Sequence, residues 1–306
     1  MPFTAESTTD EVIAGIDLTG KTAVVTGASG GLGAETARAL ASKGATVLLV
    51  ARDEAKLQQQ VEAIKASTGN QQVVYALMDL SDFDSVRACA QSIAAGYPEI
   101  NILVNNAGIM ACPLARTRQG FETQFGVNHL GHFLLTSLLI PNLEAGAPAR
   151  VVALSSGGHK MGNVDFDDPN WESREYDKWQ AYGAAKTANA LFAVGLNERF
   201  AEITANAVHP GVIFTDLARH LVEEDFSFMS LEGITVKSVE QGAATSVWAA
   251  TSPELEGRGG LYLEDGHIGK EVGREERMGG YLAYALDKEG ADRLWALSEQ
   301  LVANQA

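Results

Sequence analysis

The sequence predicts an α/β fold: a single doubly wound Rossmann domain with a seven-stranded parallel sheet and helices on both faces. Three observations predict it. Short β-branched runs alternate with helix-like segments along most of the chain. Those runs lack strict polar alternation, as strands buried on both faces do. A glycine-rich turn stands between the first run and the first helix.

In order, Ala23 to Val25 leads into a helix over about Gly31 to Lys43, and Thr46 to Val50 into a charged helix around Glu54 to Ala66. Val73 to Leu77, a helix around Asp82 to Ala94 and Ile100 to Val104 continue the rhythm. Later strands are expected at Val151 to Leu154, Ile203 to Val208 and Gly260 to Leu263. Strand, helix and strand in repetition imply parallel pairing with right-handed crossovers. No Pro-, Gly- or Ser-rich linker divides the chain, so 1–306 reads as one domain. Insertions near 157–178 and 212–237 break the rhythm and are expected at the edge of a site. A helical tail over 274–306 carries Ala291, Leu294, Leu297 and Leu301 at helical spacing.

Bulk composition narrows the function classes. A net charge of −16 and a pI near 4.8 argue against nucleic-acid or anionic-membrane partners, whose surfaces are also negative. Two cysteines, Cys89 and Cys112, make no disulfide framework. Met1 to Asp10 is polar and acidic, unlike a signal peptide. No apolar run approaches the ~20 residues of a membrane span, so a cytoplasmic location without a membrane partner is the expectation.

The turn reads Thr26-Gly27-Ala28-Ser29-Gly30-Gly31-Leu32-Gly33. Glycines there permit a tight turn, close backbone approach to a pyrophosphate and tight strand–helix packing, while the helix N-terminus favours the anion. The absence of Gly-Lys-Ser/Thr argues against a nucleoside-triphosphate loop. The glycines fit both a dehydrogenase-type and an epimerase-type spacing, which the turn by itself leaves open. After the second strand, Ala51 stands where an acid would bind the adenosine ribose, and Arg52 follows. A guanidinium there can pair with a 2′-phosphate, so NADP(H) is favoured over NAD(H). Asp53 reads as a helix N-cap.

Tyr182 and Lys186 stand four residues apart at the start of a helix and share a face. A nearby ammonium favours phenolate, so the pair is expected to lower the phenol's pKa. Together with TGASGGLG, ARD, Asp79-Leu80, NNAG, VNHLGHF, LSS, YGAAK and HPGVIFT, in order from about Leu18 to about Leu263, this resembles the short-chain dehydrogenase/reductase family. That order also settles the glycine ambiguity in favour of the dehydrogenase type.

The resemblance implies roles residue by residue. Tyr182 is the general acid/base; Lys186 is its partner and a ligand of the nicotinamide ribose. Ser156, rather than Ser155, polarises the carbonyl, and Asn128 holds a water in a proton relay ending at Lys186. Gly27, Ser29, Gly30, Gly31, Leu32, Gly33 and Arg52 bind the cofactor's phosphates. Asp79 and Leu80 flank the adenine, Asn106, Ala107 and Gly108 run along the dinucleotide, and Pro210, Val212 and Thr215 meet the nicotinamide end. No metal is implied; His129 and His132 read as structural histidines without further ligands nearby. His159 is expected to line the substrate entrance or to be exposed.

The wide Ser156–Tyr182 spacing resembles the retinol-dehydrogenase-like and WW-domain-oxidoreductase-like branch, which handles hydrophobic carbonyl compounds. The implied activity is interconversion of a ketone or aldehyde and its alcohol on a small to medium hydrophobic substrate. Alternatives are reduction of an activated carbon–carbon double bond and a non-catalytic NADP(H)-sensing protein. Phe214, Leu217, Leu221, Phe226, Phe228 and Met229 read either as an apolar lid over the substrate or as local packing. Family members assemble through the long helices bearing Asn128 and Tyr182, so a homodimer or homotetramer is the expectation.

Overall fold

Alternate residues along each central strand enter different cores. Val24, Leu48, Leu103, Val151 and Ala205 join one apolar cluster, while Val25, Leu49, Val104, Val152 and Val208 join the other. A strand's side chains alternate between faces, so burying both requires the continuous apolar runs seen in the sequence. In the computed structural model, which describes residues 3–215, 217, 221, 225, 235–276 and 279–305, these strands form one sheet.

The strands are β1 (Thr22–Thr26), β2 (Thr46–Ala51), β3 (Val73–Leu77), β4 (Ile102–Asn105), β5 (Ala149–Leu154), β6 (Ile203–His209), β7 (Tyr262–Glu264) and β8 (His267–Ile268). Their order is β3-β2-β1-β4-β5-β6-β7-β8, parallel as far as β7. Among the described residues the sheet therefore has eight strands rather than the expected seven. The extra one arises because the chain turns back at Asp265 and Gly266, with φ of 49° and 69°, into a two-residue antiparallel strand. Positive φ at both turn residues is the hairpin geometry that Asp-Gly favours. That dipeptide was the signal available; two residues are too few for a periodicity.

The main helices are α1 (Gly31–Ala41), α2 (Glu54–Thr68), α3 (Phe83–Gly96), α4 (Gly131–Ala145), α5 (Lys178–Arg199), α6 (Val239–Thr251) and α7 (Lys288–Ala303). α1, α2 and α6 cover one face of the sheet, and α3, α4 and α5 the other. Asp53, Asp82, Asp177, Ser238 and Asp287 accept backbone N–H groups at the starts of α2, α3, α5, α6 and α7, which explains where those helices begin. α4 follows a π-helical turn, Gly126–Leu130, that carries Asn128.

The tail packs on its own chain. α7 lies along α5, burying Ala291, Leu294 and Trp295, with Leu297 and Leu301 half-buried. Trp295 stacks on Phe192 of α5 at 6.0 Å and meets Phe133 of α4 edge-on at 5.0 Å. The strand order reverses between β1 and β4, so the segments after these strands part and open a crevice at their carboxyl ends.

Candidate active site

The crevice is a cleft of about 1430 Å³. It starts at the turn after β1. Gly27 has φ +68°, and a Cβ on Gly33 would stand 2.5 Å from both the Asn106 Nδ2 and the Gly27 carbonyl oxygen. Any side chain at 33 would thus break the approach of α1 to β4. Gly30, at the N-cap of α1, supplies no capping side chain. The first N–H groups of α1 therefore remain for an anion, with the helix dipole behind them. A dinucleotide fits this cradle by its donor chemistry.

Thr26, fully buried, fastens the turn. Its hydroxyl accepts from the Asn106 and Ala107 N–H groups at 2.9 and 3.0 Å and lies 2.8 Å from His132 Nε2. His132 Nδ1 lies 3.0 Å from the Asn128 carbonyl, which can only accept. His132 therefore carries its proton on Nδ1 and accepts the Thr26 hydroxyl on Nε2, and burial holds its pKa down at about 4. His129 lies in the core against Phe125, Phe133 and Phe192, with Nε2 2.8 Å from the Ser298 hydroxyl.

Farther along, the cleft is lined by Arg52, Asp53, Asp79 and Leu80. Asp53 caps α2 by accepting from the Lys56 N–H. Lys56, one turn after Arg52, also lines the cleft. The sequence reading missed it; Lys56 stands in the first turn of α2, just past the Asp53 N-cap, whereas Arg52 precedes that cap. Asp79 accepts from both the N–H and the hydroxyl of Ser81, fixing the turn below β3.

At the other end, Ser156, Tyr182 and Lys186 converge with Asn106, Ala107, Gly108, Pro210, Val212 and Thr215. The Ser156 hydroxyl, which accepts from the Gly158 N–H at 3.0 Å, is near enough to the Tyr182 phenol to favour its ionised form. The Ser155 hydroxyl donates instead to the Lys186 carbonyl at 2.8 Å, tying β5 to α5. Lys186 Nζ, nearly fully buried, donates to the Leu154 carbonyl at 2.9 Å, and burial lowers its pKa to about 8. Tyr182 corrects the expectation of a lowered phenol. Burial pushes it up to about 12, and the nearby Ser156 hydroxyl pulls the other way. Lys186 Nζ is turned toward Leu154, 5.7 Å from the tyrosine ring centroid.

Gly183 explains why α5 sits so close to the turn after β5. A Cβ there would meet the Gly162 nitrogen at 2.4 Å. Asn128 does not line the cleft. It is fully buried, and its amide donates to the Ile109 carbonyl at 2.9 Å and accepts from the Ile109 N–H at 2.8 Å. His159 differs from both expectations: it is neither at an entrance nor exposed but fully buried.

The remaining walls come from the interruptions and the tail: Met161, Lys160 and Trp179 on one side, Phe214, Leu217 and Leu221 on another, and Gly279 and Gly280 from the segment before α7. Phe226, Phe228 and Met229 lie outside the described residues. Lys178 and the Trp179 indole N–H both bond to Asp225, at 2.7 and 3.2 Å. The 157–178 stretch is anchored rather than loose. The Tyr176 hydroxyl donates to the buried Glu122 carboxylate and accepts from Gln124, and Arg174 lies 3.6 Å over the Trp171 ring.

A dinucleotide cradle opening onto a phenol, a hydroxyl and a buried ammonium defines an oxidoreductase of the dinucleotide-fold class. Comparison with known proteins narrows it. The short chain dehydrogenase family profile matches residues 21–225, and the chain belongs to that family. Human retinol dehydrogenase 13 is 42% identical over 294 residues, covering 94% of this chain and 86% of the relative. Mouse retinol dehydrogenase 12 is 42% identical over 297 residues, covering 95% and 89%. The chain is thus of the retinol-dehydrogenase-like branch. A solved protein from Mycobacterium paratuberculosis matches with a TM-score of 0.74 at 36% identity, covering 99% of this chain and 98% of that one. A short chain dehydrogenase from Escherichia coli CFT073, complexed with NADPH, matches with a TM-score of 0.64 at 27% identity, covering 81% and 97%.

Proposed function

We infer that this chain is an NADP(H)-dependent carbonyl reductase and alcohol dehydrogenase, interconverting a ketone or aldehyde and its alcohol on a small to medium hydrophobic substrate. The observation that carries the reading is the convergence of Ser156, Tyr182 and Lys186 at the far end of a cleft that begins at an uncapped helix N-terminus. The NADPH complex of the Escherichia coli CFT073 relative supports the cofactor, and the names of the retinol dehydrogenases support a greasy substrate.

In this reading Gly27, Ser29, Gly30, Gly31, Leu32 and Gly33 hold the pyrophosphate, while Arg52, with Lys56 beside it, holds the 2′-phosphate. Asp79 and Leu80 bracket the adenine. Asn106, Ala107 and Gly108 line the middle, and Pro210, Val212 and Thr215 the nicotinamide end. When bound, NADP(H) supplies or accepts the hydride. Tyr182 gives its phenolic proton to the carbonyl oxygen, or takes it from the alcohol. Ser156 donates to the same oxygen and steadies its developing charge. Lys186 binds the ribose hydroxyls and supplies the positive charge that favours phenolate. Asn128, through Ile109, holds the floor beside Lys186 and the relay water.

Met161, Trp179, Phe214 and Leu217 supply apolar walls suited to a hydrophobic substrate. An assembly of two or four copies has to use faces other than the one α7 covers on α5. Two buried free thiols and the acidic charge suit the reducing, cytoplasmic location proposed here. Among the described residues no helix is long and apolar enough to cross a membrane.

Parallel calorimetric titration with NADPH and NADH tests the cofactor, with much tighter NADPH binding expected. A panel of aryl ketones, long-chain aldehydes and retinal, with product analysis, tests the reaction. An alcohol product supports it; a saturated ketone from an enone points to double-bond reduction. Binding without turnover of any probe points to a sensor.

A further inference from the structure

Ser156 can act on a substrate oxygen only if its Cα–Cβ bond is held in one direction, and the residues after it form a half-buried, glycine-rich 3-10 turn whose Gly158 N–H donates to the Ser156 hydroxyl at 3.0 Å. Two imidazoles meet the peptide that follows it. The carbonyl of Ser156 faces His159 Nδ1 at 2.7 Å. The N–H of Gly157, in the same planar unit, donates to His209 Nδ1 at 3.1 Å. In a trans peptide these two groups point in opposite directions, so the imidazoles grip the plane from opposite edges.

The partners dictate the tautomers. A carbonyl only accepts, so His159 carries its proton on Nδ1; its Nε2 then accepts the Leu282 N–H at 3.2 Å. His209 Nδ1 receives N–H groups from Gly157 and, at 3.4 Å, from Gly211, so its proton sits on Nε2. Protonating either ring would set N–H against N–H. Burial holds His159 down at about 4 and keeps His209 below its ordinary range as well. His159 is itself held: the Tyr284 hydroxyl donates to its carbonyl at 2.7 Å, and the Tyr262 hydroxyl lies 3.4 Å from Nδ1. Leu282 and Tyr284 belong to the segment leading into α7, beyond the part matched by the family profile.

We propose that His159 and His209 are positioning residues that aim the Ser156 hydroxyl by clamping the Ser156–Gly157 peptide, one donating to its carbonyl and the other accepting from its N–H. This rests on the role assigned to Ser156 above. The clamp has two inputs. His209 ends β6 and leads into the Pro210–Val212 turn at the nicotinamide end. His159 is set by the tail. Substrate polarisation is thereby tied to both walls of the cleft.

Two measurements test it. Long-range 1H–15N spectra of the full chain should show His159 as the Nδ1–H tautomer and His209 as the Nε2–H tautomer, both neutral at pH 6. The opposite tautomers, or either ring protonated there, would overturn the clamp whatever the enzyme's activity. Kinetics on the best probe of the carbonyl panel give the second test. His209→Leu should lower kcat about 10- to 100-fold with the KM for NADPH little changed, and His209→Asn, whose amide oxygen can accept from Gly157, should recover most of it. In a Ser156→Ala background His209→Leu should cost less than about twofold more, because both act through one hydroxyl. Losses that multiply in full, or an Asn variant as poor as Leu, would refute the positioning role. A Ser156→Ala variant with parent kcat would instead sink the assignment of Ser156, and the spectra would still decide the clamp.

Discussion

Tyr182 sits in the fold as a strongly protonated phenol, pushed up to about 12, beside a lysine drawn down to about 8. A phenol at that value is protonated at working pH but gives its proton up reluctantly, so turnover in either direction needs the positive charge of Lys186 brought to bear on it. Tyr182→Phe should therefore remove measurable turnover in both directions while leaving NADPH binding by calorimetry within a fewfold; surviving turnover would rule out the acid/base assignment. Lys186 loses protons more easily folded than unfolded, so the unfolded chain binds more protons between pH 8 and 10.5. Stability attributable to it rises with pH across that window, by on the order of 3 kcal/mol, and the penalty is fully present below it. Tyr182 acts oppositely between 10 and 12. Lys186→Met should abolish the alkaline rise in denaturation midpoint; an unchanged profile would mean that the ammonium is better solvated than its burial implies. At the cofactor's other end, Arg52→Ala should raise the KM for NADPH far more than that for NADH, and equal changes would remove Arg52 from the 2′-phosphate. The placement of these residues along one cleft was legible because each rests on a residue type at a fixed spacing. The direction of the Tyr182 shift was not, since spacing says nothing of where Nζ turns. The burial of His159 was hidden too, because its partners Leu282 and Tyr284 are distant in sequence.

Among the elements, the turn before α1 and the helix α7 make contrasting demands. Gly33→Ala would drive a methyl into Asn106 and the Gly27 carbonyl, so it should weaken NADPH binding by tenfold or more with the sheet intact by circular dichroism. Undiminished affinity would show that the turn can yield. α7 was legible as a helix from Ala291, Leu294, Leu297 and Leu301, but its largest contact was not. Trp295 lies outside that series yet stacks on Phe192, with the Arg199 guanidinium 4.7 Å over its ring. Trp295→Ala should cost about 3–5 kcal/mol in urea denaturation with little change in turnover per folded molecule, and a loss below 1 kcal/mol would mean that the tail docks without it. Asp53 was legible as the N-cap of α2, whereas α5 begins at Lys178 behind the Asp177 cap, one turn before the Tyr182 at which the sequence placed its start. The π-helical turn at Asn128 was not legible, because nothing in its composition distinguishes it from ordinary helix.

Over the whole molecule, His129, His132, His159 and His209 are neutral, drawn down by burial to about 3, 4, 4 and 3 from an ordinary 6.5. Unfolded, each takes up a proton below pH 6.5, so the stability they permit is complete above that value and is lost as pH falls toward 4. Calorimetry at pH 5 should register uptake of up to about four protons by these rings per molecule unfolded, and His129→Leu should reduce the uptake by about one. No difference in that variant would mean that His129 is already protonated in the fold. The sheet's two borders are also unequal. On one side the Asp265–Gly266 reversal leaves only His267 and Ile268 at the border. On the other, β3 offers five residues, with Val74 and Leu77 exposed. Unpaired backbone groups on a long apolar border invite a further strand from another molecule, whereas a two-residue border gives almost nothing to add to. Self-association by strand addition, once the chain is heated or partly opened, should therefore start beside Val74 and Leu77, at the border of the sheet opposite β8.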